Sequence, residues 1–178
     1  MVEKDKVEMV SGNEVIAKSL AYQGVTHVFG IVGIPIIDLG FWVQGEDMNY
    51  FGFRNEQAMS YAAGVVGYLT KRPGVCMAVS GPGMTNCISG MANALINKWP
   101  MICLGGAPDS TLEGQGAFQE YDQLAAAKPN CKYAARPNSV EHIPIIIERA
   151  VRMSMYGTPG PCYIDLPMNL LYASVPAS

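Results

Sequence analysis

Among the 178 residues, the side chain best placed for chemistry is Glu56, within FRNEQ (53–57). It follows an apolar run, NYFGF, that reads as a buried strand, and it opens a helix with little polarity. Loss of water there disfavours a bare charge and suits a carboxyl group that shares a proton. A carboxylate in a first helical turn is also a capping and dipole partner, so on the residues alone both roles stand open. Two glycine turns come next, GIVGIP (30–35) and SGPGMTN (80–86). Glycines at a helix N-terminus let the backbone approach an anion closely. Met84, Thr85 and Asn86 follow Gly83, however, so the third glycine of a dinucleotide fingerprint is missing, and no G-K-[ST] supports a P-loop. A tight turn that packs a helix onto its sheet explains SGPG equally. Ser80 lacks a G-x-S-x-G elbow and evident His and Asp partners. His27 and His142 stand apart, and the five cysteines show no C-x-x-C spacing, so no metal site is expected in this chain.

The elements that must position these residues alternate along the chain. Helical spacing covers 12–23, a short segment around 35–43, 56–71, the stretch after SGPG, and 140–157 despite Pro144. Apolar, strand-like runs are THVFGIVG, NYFGF, VCMAVS, MICLGGA and PCYIDLP, with a shorter one at KYAAR. After SGPG, Met84, Cys87, Ile88, Met91 and Leu95 form one apolar face, while Ala62, Ala63, Gly64 and Gly67 of the preceding helix leave room for close approach. Such alternation predicts an α/β domain of three layers, a mainly parallel central sheet flanked by helices. Ligands in such sheets bind at the carboxyl ends of strands, which directs attention to 30–35, 54–57, 80–86 and 105–119.

Composition narrows the function classes. The chain is 49% hydrophobic and only 15% charged, against about a quarter charged in ordinary soluble proteins. Either both sheet faces are covered or part of the outer surface is meant to be buried by another body. Twelve Lys and Arg against fifteen Asp and Glu give a net charge of -3, with no basic stripe for a nucleic acid. The uncharged stretch from Pro73 to Asn97 holds too many glycines and polar residues for a membrane span. The opening MVEKDKVEMV has no continuous apolar segment of a secretory signal. Unpaired cysteines in apolar strands fit an intracellular, reducing compartment.

Taken in order, GIVGIP, FRNEQ, YLTKRPGVC (68–76), SGPGMTN, GAFQEYDQ (116–123) and YGTPGPCYIDLP (156–167) resemble the N-terminal, pyrimidine-binding domain of thiamine-diphosphate-dependent enzymes. The resemblance spans nearly the whole chain. It is closest to the branch of 2-hydroxyacyl-CoA lyases and oxalyl-CoA decarboxylases, and more distant to acetolactate synthases. Phe118-Gln119 is like the lyases and acetolactate synthases, where the decarboxylases typically carry Tyr-Glu; DQLAAAKP (122–129) is more like the decarboxylases. The lyase leads, then the decarboxylase, then an acetolactate-synthase-like enzyme. A noncatalytic interaction module of the same fold, pairing through the small-residue helix, is the reading from another class, and retention of Glu56 argues against it.

The resemblance implies roles. Glu56 would share a proton with N1′ of the cofactor's aminopyrimidine, favouring the tautomer whose 4′-nitrogen takes the proton from the thiazolium C2. Gly33, Ile34 and Pro35 would line the cofactor cleft, Gly81, Pro82, Gly83 and Asn86 would pack near the pyrimidine, and Phe118 and Gln119 would approach the reacting carbon. In this branch an acyl-CoA is cleaved to formyl-CoA with release of an aldehyde or of carbon dioxide. The family's Mg²⁺ and diphosphate are held by a G-D-G to N-N motif in a separate C-terminal domain, and no such motif occurs in this chain. Family enzymes run to roughly three times this length, more than one domain. The expected organisation is an N-terminal extension at 1–10, the pyrimidine-binding domain at 11–169, and the start of a linker at 170–178. A second subunit, in a homodimer or homotetramer, would complete the site, so the chain alone is expected to be inactive. The compartment would be peroxisomal for a eukaryotic lyase and cytoplasmic for a bacterial one.

Overall fold

Three runs in the chain are apolar at nearly every position, the pattern of strands covered on both faces rather than one. They form β4 (Gly74–Ala78), β5 (Met101–Ala107) and β7 (Pro161–Pro167), buried throughout. In the computed structural model, which describes residues 8–177, these strands are the centre of a six-stranded sheet. With β2 (His27–Gly30), β3 (Asn49–Gly52) and β6 (Tyr133–Ala135), its order is β3-β2-β4-β5-β7-β6, and every pairing is parallel.

Helices cover both faces, as the alternation predicts. On one side Ile16 and Leu20 of α1 (Gly12–Tyr22), Leu39 of α2 (Ile37–Gly45) and Ile147 of α6 (Ile143–Met155) pack with Val28, Val75 and Ile102 of the sheet. On the other, Met59 and Ala63 of α3 (Glu56–Thr70) and Met84 and Met91 of α4 (Pro82–Asn97) pack with Cys76, Cys103 and Tyr163. Two short helices complete the set, α5 (Gln123–Ala127) and α7 (Met168–Tyr172).

The differences from the sequence reading have local causes. NYFGF is an edge strand and mostly exposed rather than buried, because nothing among the described residues pairs with the outer side of β3. The helix expected at 140–157 starts at Ile143, with Pro144 in its first turn, where a missing N–H costs nothing. The α4 face buries Met84, Cys87, Gly90, Met91 and Ala94, while Ile88 and Leu95 lie at its margin. The small residues of α3 are consumed inside the chain: a Cβ at Gly67 would run into the Pro100 carbonyl, and one at Gly64 would stand 3.6 Å from Ala94. The helix side expected to receive a partner is thus occupied, and the outward side carries Tyr61, Val65, Tyr68 and Leu69 instead.

The two ends of the described chain meet. β1 (Met9–Ser11) pairs antiparallel with β8 (Ser174–Pro176), so the last residues of the expected extension lie beside part of the expected linker; residues 1–7 and 178 lie outside the described residues. Gly12 N donates to Ala173 O at 3.1 Å and Asn13 Nδ2 to Leu171 O at 3.0 Å, tying the start of α1 to α7. Among the described residues no helix is long and apolar enough to cross a membrane.

Candidate active site

Strand order reverses around β2, whose successors β3 and β4 lie on opposite sides of it, and the crevice at such a point, beyond the carboxyl ends, is where α/β sheets hold ligands. The loops that leave β2 and β4 there are the two glycine turns. Val79 joins them: a Cβ on Gly33 would come within 2.6 Å of one Val79 methyl, and a Cβ on Gly83 within 2.6 Å of the other. Gly81 has a φ of +58°, the left-handed region that favours glycine, and caps α4 without a side chain. Pro82 follows at the first helical position, where its ring suits the helix.

Glu56 is the first residue of α3 and half-buried, with the Asn55 side chain accepting from Ala58 N at 2.9 Å to cap the helix. Asn86, the fifth residue of α4, donates from Nδ2 to Glu56 Oε2 at 3.3 Å. The two helix starts lie side by side because α3 and α4 approach closely at Gly90, whose missing Cβ leaves room for the Ser60 side chain, with the Ser60 backbone 2.7 Å from where that Cβ would stand. The result is a carboxylate with one amide donor, facing the crevice at two helix N-termini.

Phe118 and Gln119 meet different neighbours. Phe118, 76% exposed, lines an apolar cleft of about 340 Å³ together with Ile34, Pro35, Leu112, Ala117 and Met168. Gln119 takes a φ of +58° and lays its backbone against the Gly81 turn, where a Cβ on Gly81 would meet its carbonyl at 2.7 Å. The structure thus joins Glu56 with Asn86, Gly33 with Gly83 through Val79, Gly81 with Gln119, and Ile34 and Pro35 with Phe118. Among the described residues, no hydrogen bond links Glu56 to the Phe118 cleft.

The sequence reading missed the groups that fix the Gly81 turn from beneath. Buried Gln123 accepts from Gly81 N at 2.6 Å and donates from Nε2 to Asp165 Oδ1 at 2.6 Å, with Gly106 O and Tyr163 OH each 3.0 Å away. Tyr163 OH donates to the same Asp165 oxygen at 2.6 Å, and Arg136 Nε meets the other at 2.6 Å. Burial, then the neighbouring Asp165 charge, holds the Tyr163 phenol well above its ordinary range, so it remains a donor. Burial works against the Arg136 charge, but Asp165 and Glu113 more than offset it. The available signal was Asp165 itself, an acid inside an apolar strand, since a buried charge must be paired.

The fold and the glycine-lined crevice define a class. The chain belongs to the thiamine pyrophosphate enzymes, residues 10–126 matching that family's N-terminal TPP binding domain. It is 49% identical over 168 residues to 2-hydroxyacyl-CoA lyase 1 of Homo sapiens, covering 94% of this chain and 29% of that protein. It is 40% identical over 173 residues to oxalyl-CoA decarboxylase of Escherichia coli (strain K12), covering 96% of this chain and 31% of the relative. To 2-hydroxyacyl-CoA lyase of Arabidopsis thaliana it is 40% identical over 169 residues, 95% of this chain and 30% of the relative. The chain therefore spans about three tenths of the length of these relatives.

The cofactor of the class is thiamine diphosphate. A half-buried carboxylate with one amide donor offers a hydrogen-bonding edge that suits its flat pyrimidine end, and the missing Cβ atoms of Gly33 and Gly83 let both turns close on Val79 beside it. Mg²⁺ is a hard cation. Among the described residues the one group of three adjacent metal-ligating side chains is Cys76, Cys87 and Cys103, whose soft sulfurs do not suit a hard cation that prefers oxygen.

Proposed function

We propose that the protein carrying this chain is a 2-hydroxyacyl-CoA lyase, cleaving a 2-hydroxyacyl-CoA to formyl-CoA and a shortened aldehyde. The observation that carries the choice over oxalyl-CoA decarboxylase is the character of the Phe118 cleft. Its lining is apolar except for Ser80 and Asp109, and Asp109 is its only charged group. An oxalyl carboxylate would find an acid there and no cation, whereas the alkyl part of a hydroxyacyl group would find Ile34, Leu112, Phe118 and Met168.

Thiamine diphosphate, when bound, supplies the electron sink for carbon–carbon cleavage. Glu56 would present its carboxylate to the pyrimidine ring as a proton-exchanging group, and Asn86 would keep Oε2 oriented. Gly33, Ile34 and Pro35 wall one side of the crevice; Gly81, Pro82 and Gly83 wall the other, Gly81 being fixed by Gln123. Phe118 excludes water from the alkyl group, and Gln119 sits where the loop meets the Gly81 turn. Acyl-CoA as substrate and Mg²⁺ held outside this chain complete the proposal. A second copy would cover the crevice, a role supported by the outward apolar stripe of Tyr61, Val65, Tyr68 and Leu69. The five unpaired cysteines support a reducing compartment, a peroxisome in a eukaryote or the cytoplasm in a bacterium.

The test is a substrate series with the complete enzyme. Each methylene accommodated in the cleft is worth about 0.8 kcal/mol, or about fourfold in kcat/KM, so activity should climb with chain length and Phe118→Ala should flatten the slope. A kcat/KM for oxalyl-CoA above that of every 2-hydroxyacyl-CoA tried would overturn the lyase assignment in favour of the decarboxylase.

A further inference from the structure

Three cysteines far apart in sequence converge in the core between the sheet and α4. Cys76 of β4 and Cys103 of β5 are register partners on adjacent strands, and Cys87 comes down from the second turn of α4. Their sulfur atoms all lie within 4.8 Å of one another, and each residue has 0% exposure. The proposed reaction leaves this cluster unused. Small hydrophobes would fill the same space, but three thiols meeting at one point also make a donor set that alanines or valines would not.

We propose that Cys76, Cys87 and Cys103 form a trigonal, all-sulfur site for a thiophilic monovalent cation, Cu⁺. Donor type selects the ion: soft sulfur suits Cu⁺ and zinc and rejects hard oxygen-seeking cations. Donor number and burial then separate those two, because zinc with three protein ligands keeps a water as its fourth, and the three thiols are fully buried. Size fits as well. An ion about 2.3 Å from each of three sulfurs in its plane sets them about 4.0 Å apart, so the thiols need to close by about 0.8 Å at most. The sulfurs bind as thiolates, so each ligating cysteine gives up its proton to solvent as Cu⁺ enters.

The site would not be silent. Cys87 Sγ points to the Glu56 carbonyl oxygen at 3.9 Å and to the Gly83 carbonyl oxygen at 3.6 Å, so the cluster lies directly behind the first turns of α3 and α4. Filling it redirects Cys87 and disturbs the Glu56 turn. This last consequence, a loss of activity on copper loading, rests on the function proposed above; binding itself does not.

The experiment uses the protein reduced, metal-free and under anaerobic conditions, titrated with Cu⁺ in competition with a chromogenic Cu⁺ chelator. One Cu⁺ per chain should be retained beyond the amount held by C76A/C87A/C103A, each single variant should hold it at least tenfold more weakly, and C131A/C162A should hold it unchanged. X-ray absorption of the loaded wild type should show three sulfur neighbours and no nitrogen or oxygen, a readout that stands even if a core variant fails to fold. Equal retention by C76A, or a first shell containing nitrogen or oxygen, overturns the site. Copper bound with three sulfurs but with unchanged activity overturns only the coupling to Glu56.

Discussion

Replacing Gln123 by leucine keeps the size of a buried side chain and removes both ends of its amide. Two losses follow. Gly81 N, now 2.6 Å from Gln123 Oε1, is left without its acceptor, and Asp165 Oδ1 loses the donor at 2.6 Å while keeping Tyr163. The weaker approaches to Gly106 O and Tyr163 OH add little, because an amide NH₂ has only two protons to share among three acceptors. Each orphaned buried group costs about 1–3 kcal/mol, more when charged. Two such losses, less about 1 kcal/mol regained by apolar burial, leave a net destabilisation of about 3 kcal/mol. For a chain of this size that lowers the unfolding midpoint by about 6–12 °C. Urea unfolding with an unchanged slope, together with amide hydrogen exchange at Gly81, reads both parts, and exchange there should accelerate. Gln123→Glu, which has the same shape but sets a carboxylate against Asp165, should cost more than the leucine at neutral pH. A loss below about 1 kcal/mol for Gln123→Leu, with Gly81 exchange unchanged, would refute the claim that this network holds the turn.

In the complete enzyme, Glu56→Gln should nearly abolish proton exchange at the cofactor's C2, measured by deuterium incorporation; an unchanged rate would remove Glu56 from the proton relay. Gly67→Ala should cost about 3 kcal/mol, the upper end for overpacking, because its Cβ meets the backbone carbonyl of Pro100 rather than a side chain that can move; chemical denaturation checks it. Glu120 accepts from the backbone amide of Gly114, and from those of Ala117 and Gly116, which holds its carboxyl below the usual range. A depressed carboxyl keeps its contacts at neutral pH and loses them as pH falls through its native value. Amide exchange at Gly114, Gly116 and Ala117 should therefore accelerate, beyond its intrinsic pH dependence, only in acid below the ordinary carboxylate range, and Glu120→Gln should weaken that pH step.

The layers of the fold were legible because their signal is local. VCMAV, MICLG and PCYID carry no alternation, so they had to be covered on both sides, and the helices between them supply the cover. What remained hidden depended on neighbours remote in sequence. NYFGF has the composition of an inner strand, and only the sheet order places it at an edge. Pro144 marks the start of α6, but the apolar Val140 before it extends the periodicity into a turn.

The candidate site divides along the same line. Glu56, the glycine turns and Phe118-Gln119 could be picked out because residue type and a family pattern both marked them. Their grouping could not, since Val79 bridges Gly33 and Gly83 only in space and Gln123 reaches Gly81 across 42 positions. Asp165 shows how far residue type alone reaches. An acid flanked by Ile164 and Leu166 in a strand demands a partner, so its pairing was predictable, but two of its three partners are remote, Gln123 on α5 and Arg136 just past β6, and only Tyr163 shares its strand. Spacing rules read ligand sets that sit on one or two turns, and they pass over sets assembled by a sheet. Cys76, Cys87 and Cys103 are such a set: two are joined by strand register and the third by the helix that the SGPG turn starts. The turn that shapes one wall of the crevice thereby also brings the third thiol into place behind Glu56.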